Sequence, residues 1–336
     1  MRYNGESRGN EKETATVREL TDKLYAQLTK CGFRMRMASI ERLRDLREDI
    51  EKRRREKMLD DDFYRIELAG FVFTAPAELP EAQSVIIAAA PQPHTLWTFE
   101  WNGRTIPAII PATYAADVYE QAAEVLNALL TPASYHMCRA WIPLKLTAVH
   151  SGLARYGKNN ISYVDGMGSY FRLMAFFTDL PCREDDWGEL QVMKECHTCT
   201  ACKAKCPTGA ISADRFLIHA ERCLTYINEH QEEFPTWLDS SAHHCLMGCV
   251  VCQTFCPVNR HVPARIEVDA AFTVEETELF LRSISRDELP PDTARKFGKF
   301  PQFLDSLKEI SRNLNALVES PDTAAQIVSL INHGGG

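Results

Sequence analysis

Two runs of closely spaced cysteines are the residues of this chain best suited to chemistry. The first run is C-x2-C-x2-C-x3-C followed by proline, and its thiols are Cys196, Cys199, Cys202 and Cys206. Three such thiolates can wrap around one iron–sulfur cubane, while the proline turns the fourth towards a second cubane. A similar run follows and also ends in Cys-Pro, with thiols at Cys245, Cys249, Cys252 and Cys256. Together the runs predict two [4Fe-4S] clusters.

Zinc and disulfide bonds are the main alternatives for so many cysteines. A structural zinc site takes four ligands and would leave several of these thiols unused. Disulfides require an oxidising compartment. The first residues are polar and show no signal peptide, which predicts a cytoplasmic chain with reduced thiols. Thiolate ligation of clusters therefore remains the prediction.

The spacing of the cysteines along the chain predicts which thiols bind each cluster. The first cluster is expected to take the three close thiols of the first run and the last thiol of the second run. Its predicted ligands are Cys196, Cys199, Cys202 and Cys256, and those of the second cluster include Cys206, Cys249 and Cys252. The regular position of the remaining ligand holds Leu246. Either Cys245 or Cys223, which lies between the runs, must replace it, and spacing leaves both open.

Composition and charge limit the kinds of partner. The 336 residues are 45% hydrophobic and 25% charged, and the net charge is −8. We therefore predict no nucleic-acid partner, and we interpret the basic run 52–57, with its interleaved carboxylates, as a solvated helix face. No apolar run is long enough for a bilayer, which predicts a soluble protein without a membrane partner. The isolated Cys31, Cys138 and Cys182 are predicted to be buried and inert.

Hydrophobic periodicity indicates an α+β domain ahead of the clusters. The expected helices cover residues 14–30, 40–59, 117–130 and 143–155. The expected strands cover residues 84–90, 161–164 and 171–178, and residues 91–101 are expected to form a loop.

Three domains follow from this reading: an α/β cofactor or substrate domain (1–185), a double-cluster ferredoxin-like domain (186–265) and a C-terminal helical segment (266–336). In the last, Thr273 and Glu276 predict a capping box for a helix to about residue 285. Further helices are expected over residues 303–317 and 324–331.

Three motifs around the cysteines carry a family resemblance. They are Cys206-Pro-Thr-Gly-Ala-Ile211, Arg222-Cys223-Leu-Thr-Tyr226 and Gly248-Cys249-x2-Cys252-Gln253-x2-Cys256-Pro257-x-Asn259-Arg260. This segment resembles the cluster domain of epoxyqueuosine reductase and, more distantly, that of corrinoid reductive dehalogenases. The resemblance continues more weakly upstream, over about residues 70–260. Because that family places a ligand in its Arg-Cys-x-x-Tyr segment, the resemblance implies that Cys223 is the last ligand.

The resemblance also implies a second cofactor. In such proteins a nitroreductase-like domain holds cobalamin base-off, and the clusters deliver single electrons to it. The segment 156–170, which several glycines interrupt, is expected to line the cofactor site as its wall, because glycines let a backbone approach a large ring closely. The predicted cofactor-binding residues are Tyr156, Gly157, Lys158, Asn159, Asn160, Tyr163 and Gly168.

Departures from the family leave the substrate open. The family's proposed proton donor is an aspartate ahead of the Pro-Leu element, where this chain reads Arg139-Ala140-Trp141-Ile142. We name no catalytic residue, and we interpret His243-His244 as an exposed polar turn. The sequence predicts a reductase of a small organic substrate, supplied with electrons by a low-potential donor such as ferredoxin or flavodoxin. The alternative is a non-catalytic electron-transfer protein without corrinoid that docks to a partner enzyme.

Overall fold

A computed structural model describes residues 6–182, 185–230, 233–262 and 266–320. The helices are α1 (Glu6–Lys30), α2 (Leu43–Arg55), α3 (Asp61–Phe63), α4 (Asp117–Leu130), α5 (Leu144–His150), α6 (Ala201–Lys205), α7 (Leu224–His230), α8 (Val251–Thr254), α9 (Val274–Leu281), α10 (Pro291–Arg295) and α11 (Leu307–Glu319). The strands are β1 (Arg34–Ser39), β2 (Ser84–Pro91), β3 (His94–Trp101), β4 (Arg104–Ile110), β5 (Met137–Arg139), β6 (Arg155–Tyr156), β7 (Ser162–Tyr163), β8 (Phe171–Thr178) and β9 (Ile266–Phe272). The mixed α+β class expected from the sequence is confirmed.

An antiparallel sheet in the order β1-β2-β8-β5 forms the centre of the first half of the chain. Side chains alternate across β2, as they do in any strand. Ile86 packs on the side of α1 and α4, whereas Ile87 packs on the opposite side, with α2 and α5. Both faces of β2 are therefore buried, which is why its sequence is a continuous apolar run.

A second sheet, in the order β4-β3-β9, ties the end of the chain to its first half. The hairpin β3–β4 turns at Asn102 and Gly103, both at positive φ (50° and 71°). β9 then pairs parallel to β3, and Phe272 stacks on Phe99 with ring centroids 4.7 Å apart. The C-terminal helices thus pack on residues far upstream. Our prediction of a loop over residues 91–101 is wrong, because β3 occupies most of it.

Several other boundaries differ from the sequence-based expectation. The helix predicted over residues 143–155 ends at His150, since Gly152 takes a positive φ of 71°. The helix predicted over residues 40–59 is a 3₁₀ turn followed by α2, and it ends at Arg55. The capping box of Thr273 is present, although α9 ends at Leu281. The helix predicted over residues 324–331 lies outside the described residues.

The three isolated cysteines are less buried than predicted. Cys31 is exposed, and Cys138 and Cys182 are partly exposed. Cys31 follows the last residue of α1, where the chain leaves the helix through Gly32 at a φ of 81°. A search of the described residues finds no helix that is both long and apolar enough to cross a membrane.

Candidate cluster sites and the cavity beside them

Four thiols gather around a small cavity at the first cysteine run. Burial raises the pKa of Cys196, and the nearby Cys256 and Cys199 raise it further. Burial raises the pKa of Cys202 to about 11, with contributions from the same three neighbours. These are the four thiols that the cysteine spacing predicts as ligands of the first cluster. In a free thiol a raised pKa keeps the proton, so a positively charged metal centre has to displace it.

The second group of thiols lines a larger cavity. Burial raises the pKa of Cys223, and the charge of Cys206 adds to the effect. Burial also raises the pKa of Cys249 and Cys252, and Cys223 contributes to both. Cys202 of the first group also contributes at Cys252. The two thiol groups are therefore neighbours.

Cys245, the other candidate for the last ligand position, has different surroundings. It is fully buried in an apolar cluster with Leu96, Ile109 and Val250. Its charge acts on Cys249, so it is close to the second group. However, Cys206, Cys223, Cys249 and Cys252 line one large cavity, and Cys245 is not part of that wall. The surroundings favour Cys223, as the resemblance does.

The large cavity has a volume of about 630 Å³ and separates the central sheet from the second thiol group. Ligand pockets typically enclose ~300–1,000 Å³. Its walls are mainly apolar, with Ile142, Leu173 and Ile211 among them. At its rim lies Trp141, which is 58% exposed. The cavity is thus large enough for a substantial organic ligand and directly adjoins the thiols.

The predicted cofactor wall divides between this cavity and the first thiol group. Tyr156, Asn159 and Asn160 line the large cavity. Gly157, Lys158 and Tyr163 line the small one with the thiols of the first group, and Asn159 lines both. Asn159 donates from Nδ2 to the Tyr163 hydroxyl (3.0 Å) and to the Cys252 carbonyl (3.3 Å). Asn160 binds the segment after the first cysteine run, accepting from the Ile218 amide at 2.7 Å.

Gly168 lines neither cavity and supports the cluster segment instead. A Cβ at this position would lie 2.3 Å from Asn259 Oδ1, and the backbone has a φ of 57°. Asn259 Oδ1 accepts from the Ser169 amide at 3.0 Å, and its Nδ2 donates to Ser169 Oγ and to the Gln253 carbonyl, both at 2.8 Å. The glycine therefore lets the segment after the second cysteine run dock on the first half of the chain.

One lysine stands beside each thiol group. Lys158 Nζ donates to the carbonyls of His197 (3.3 Å) and Cys199 (3.4 Å) in the first run. Lys145 lines the large cavity, where burial lowers its pKa and the charges of Cys223 and Cys252 oppose that effect. Its side chain is accessible at the cavity wall. Each cation can offset the negative charge of a thiolate cluster.

The sequence did not predict a carboxylate–histidine group that lies on the cavity wall. His230 Nε2 lies 2.6 Å from Glu67 Oε1 and 3.7 Å from Glu229 Oε2. All three residues line the large cavity. Burial raises the pKa of Glu229 to about 7. The available signal was the helical spacing in α7, which places Glu229 and His230 three and four residues after Tyr226.

The two adjacent histidines are buried, so our prediction of an exposed turn at His243-His244 is wrong. His244 Nδ1 bonds the Ala242 carbonyl at 2.9 Å, and its Nε2 accepts from the Val250 amide at 3.2 Å. Burial lowers the pKa of His244 to about 4, which keeps the ring neutral. His244 therefore fixes the fold of the second cysteine run.

Residues 195–259 match the family described as a 4Fe-4S double cluster binding domain. With the two thiol groups, this match makes the chain a double-cluster iron–sulfur protein, and it confirms the prediction of two [4Fe-4S] clusters. The epoxyqueuosine reductase of Cyclobacterium marinum is 33% identical over 142 residues, which are 42% of this chain and 43% of that protein. That of Lactococcus garvieae is 31% identical over 174 residues, 50% of this chain and 46% of that protein. The chain matches less than half the length of these curated relatives.

A solved structure of an epoxyqueuosine reductase with an epoxyqueuosine-modified tRNA-Tyr stem loop has the same fold. Its TM-score is 0.67 at 20% identity, covering 94% of this chain and 84% of that one. The chain is thus similar to epoxyqueuosine reductases in its fold and in part of its sequence, as the resemblance implied. Our prediction of no nucleic-acid partner is wrong, since this similar protein is seen with a tRNA stem loop. That prediction was based on the net charge of the whole chain, and a net charge does not describe individual surfaces.

Proposed function

We propose that this protein is an iron–sulfur reductase that removes the epoxide oxygen of epoxyqueuosine in tRNA, with a corrinoid bound in the 630 Å³ cavity. One observation carries the proposal: the cavity lies between a predominantly apolar wall of the first half of the chain and the thiols Cys206, Cys223, Cys249 and Cys252. A ligand there adjoins the second cluster directly. The similar proteins named above supply the reaction class and the substrate.

The order of the thiol groups suits electron delivery to the cavity. The first group lies at a small cavity of its own, and it approaches the second group where the charge of Cys202 acts on Cys252. The second group lines the large cavity. We assign Cys196, Cys199, Cys202 and Cys256 to the entry cluster, and Cys206, Cys223, Cys249 and Cys252 to the cluster beside the substrate.

The chemistry of the cavity walls suits a corrinoid ring. A large apolar ring requires apolar walls with a few polar anchors. Ile142, Leu173 and Ile211 provide the walls, while Asn160 and Lys145 provide polar groups on the cluster side. When bound, a corrinoid supplies a low-valent cobalt that reduces the substrate. We extend the proposal to a nitroreductase-like fold for the first half of the chain.

A basic turn beside the cavity is the proposed contact for tRNA. Arg53 lines the cavity, and the neighbouring Lys52, Arg54 and Arg55 are exposed at the last turn of α2. Arg54 also lies 3.9 Å from the ring centroid of Tyr64. Arginine and lysine at a cavity rim can hold phosphates while a modified base enters the cavity.

Binding of the stem loop tests this surface. We expect replacement of Lys52, Arg54 and Arg55 by glutamine to weaken binding of an epoxyqueuosine-modified stem loop and to reduce the slope of log K against log salt by about 2. The matched control replaces three exposed basic residues of α1 by glutamine, namely Arg18, Lys23 and Lys30. These replacements remove the same charge at a site away from the cavity. Equal losses in both variants would contradict the assignment of α2.

Turnover and cobalt retention test the reaction. The protein is reconstituted anaerobically with iron and sulfide, incubated with cobalamin and desalted, and cobalt is counted per chain. It is then given dithionite and the epoxyqueuosine-modified stem loop, and the nucleoside product is identified by mass spectrometry. We expect stoichiometric cobalt and a product that has lost one oxygen. Absence of both would refute the proposal and favour the docking electron-transfer protein.

A further inference from the structure

The cavity wall contains a carboxyl group with no assigned role. Glu229 lies on α7, and it lines the same cavity as Cys223 and Tyr226. From Cys223 to Glu229 the helix rises by about 9 Å. The carboxyl group therefore faces the same enclosed space as the second thiol group, but one helical turn or more away from it.

A histidine and a second carboxylate lie beside Glu229. His230 Nε2 lies 3.7 Å from its Oε2 and 2.6 Å from Glu67 Oε1. Glu67 belongs to the π-helical turn Tyr64–Leu68 that faces α7. The hydrogen bond with Glu67 raises the pKa of His230. His230 thus stands between two carboxyl groups, those of the partly exposed Glu67 and of Glu229.

We propose that Glu229 is the general acid of this cavity: it protonates the oxygen that leaves the substrate, and His230 with Glu67 positions and reprotonates it. This inference rests on the proposed function. The cavity needs an acid, because the segment Arg139-Ala140-Trp141-Ile142 brings no carboxylate to it. Glu229 provides one from the opposite side, on the helix that also begins at a cluster thiol.

The protons and electrons of the reaction balance with one such acid. Conversion of an epoxide to an alkene takes two electrons and two protons and releases water. An external one-electron donor, dithionite in the assay, supplies the two electrons in separate steps. Glu229 gives its proton to the epoxide oxygen as a carbon–oxygen bond breaks, and solvent supplies the second proton that completes the water. Glu229 is left as a carboxylate and regains a proton through His230.

Other acids on the wall are less suited to this role. Burial raises the pKa of Tyr156 and of Tyr226 above the ordinary value of a phenol, so both hold their protons tightly. Burial raises the pKa of Glu229 to about 7, where the carboxyl group is part protonated and able to donate. Proton transfer is most efficient when the pKa of the acid lies near the working pH.

The charged groups around Glu229 come from three elements. His230 shares its helix and opposes the shift, whereas Glu67 on the π-helical turn adds to it. From α11, the charge of Glu309 acts on His230, and Arg312 donates to the carbonyls of Ile227 (3.1 Å) and Asn228 (3.0 Å). Because these groups are coupled, the measured pH profile describes the group as a whole.

The test is the pH dependence of turnover by the reconstituted, cobalamin-loaded protein on the epoxyqueuosine-modified stem loop. For the wild type we expect kcat to fall as pH rises through about 7. Glu229→Gln should lower kcat by about 100-fold or more, with little change in KM, and should abolish that limb of the profile. Glu229→Asp, which keeps a carboxyl group, should retain the limb and part of the rate. Glu124→Gln, at an exposed residue of α4 that lines neither cavity, is the control and should match the wild type.

Each outcome decides a different question. Iron content and circular dichroism first establish that Glu229→Gln folds and holds its clusters. If the wild type turns over and Glu229→Gln keeps its rate and pH profile, the acid role is refuted while the proposed function stands. If Glu229→Gln fails to fold, a wild-type kcat that stays flat between pH 6 and about 8 refutes the role. If the wild type converts no epoxyqueuosine at any pH, both the function and the acid role are refuted.

Discussion

Replacement of Cys223 and Cys245 separately by alanine distinguishes the two candidates for the last thiolate. Each cubane contains four iron atoms, so the intact protein should hold about eight per chain and a protein without its second cluster about four. Cys223 lines the cavity with Cys206, Cys249 and Cys252. We therefore expect Cys223→Ala to fall to about four iron atoms per chain.

Cys245→Ala should keep its iron and lose a little stability. The side chain is fully buried with Leu96, Ile109 and Val250, so removal of the sulfur leaves a small apolar void. A loss of this size costs about 1 kcal/mol of the free energy of unfolding. Cys245→Val fills the void without a thiol and serves as the second control.

The assay is anaerobic reconstitution, desalting and colorimetric iron per chain, with electron paramagnetic resonance of the reduced protein. Cys223→Ala should show the signal of one cluster, and both Cys245 variants the signals of two. Loss of about four iron atoms from Cys245→Val, with Cys223→Ala intact, would refute the reasoning. It would mean that the segment around Cys245 rearranges when the cluster forms.

Two further predictions follow from the contacts of the cluster segments. Lys158→Met should lower the midpoint potential of the first cluster, and Lys145→Met should lower that of the second, because each variant removes the cation beside one thiol group. A redox titration measures both potentials. If either variant shifted the two clusters equally, this pairing of lysines and clusters would be contradicted. Asn259→Ala should destabilise the protein by about 2–3 kcal/mol, because its bonds to Ser169 and Gln253 are buried. Thermal unfolding measures this, and Asn127→Ala on the exposed face of α4 should leave the midpoint unchanged.

Local patterns in the sequence predicted those parts of the fold that depend on neighbouring residues. The helix over residues 117–130 and the strand over residues 171–178 have the predicted bounds, because one apolar period fixes each of them. The hairpin β3–β4 was missed although Asn102-Gly103 is a strong turn signal. The prolines and aromatic residues before it suggested a loop, and the parallel partner β9 lies about 170 residues away.

The candidate site divides in the same way. Cysteine spacing predicted the thiol groups because a cubane imposes short, fixed intervals on its ligands. Glu67 and Glu229 approach each other through His230 only when the π-helical turn packs on α7. Their sequence separation carries no period, so no pattern could pair them. The missing aspartate was visible in the sequence, whereas its candidate replacement required the shape of the cavity.

The segment 156–170 has a different purpose from a simple wall around a ring. Asn159 binds the carbonyl of Cys252 at 3.3 Å and lines both cavities. Lys158 binds the carbonyls of the first cysteine run, and Ser169 binds Asn259 beyond the second run. The segment thus contacts both cysteine runs and, through Asn160, the large cavity. A ligand that moved this segment would change its hydrogen bonds to both cysteine runs, and such hydrogen bonds tune the redox potential of a cluster. The same short segment therefore connects the wall of the large cavity to both cysteine runs.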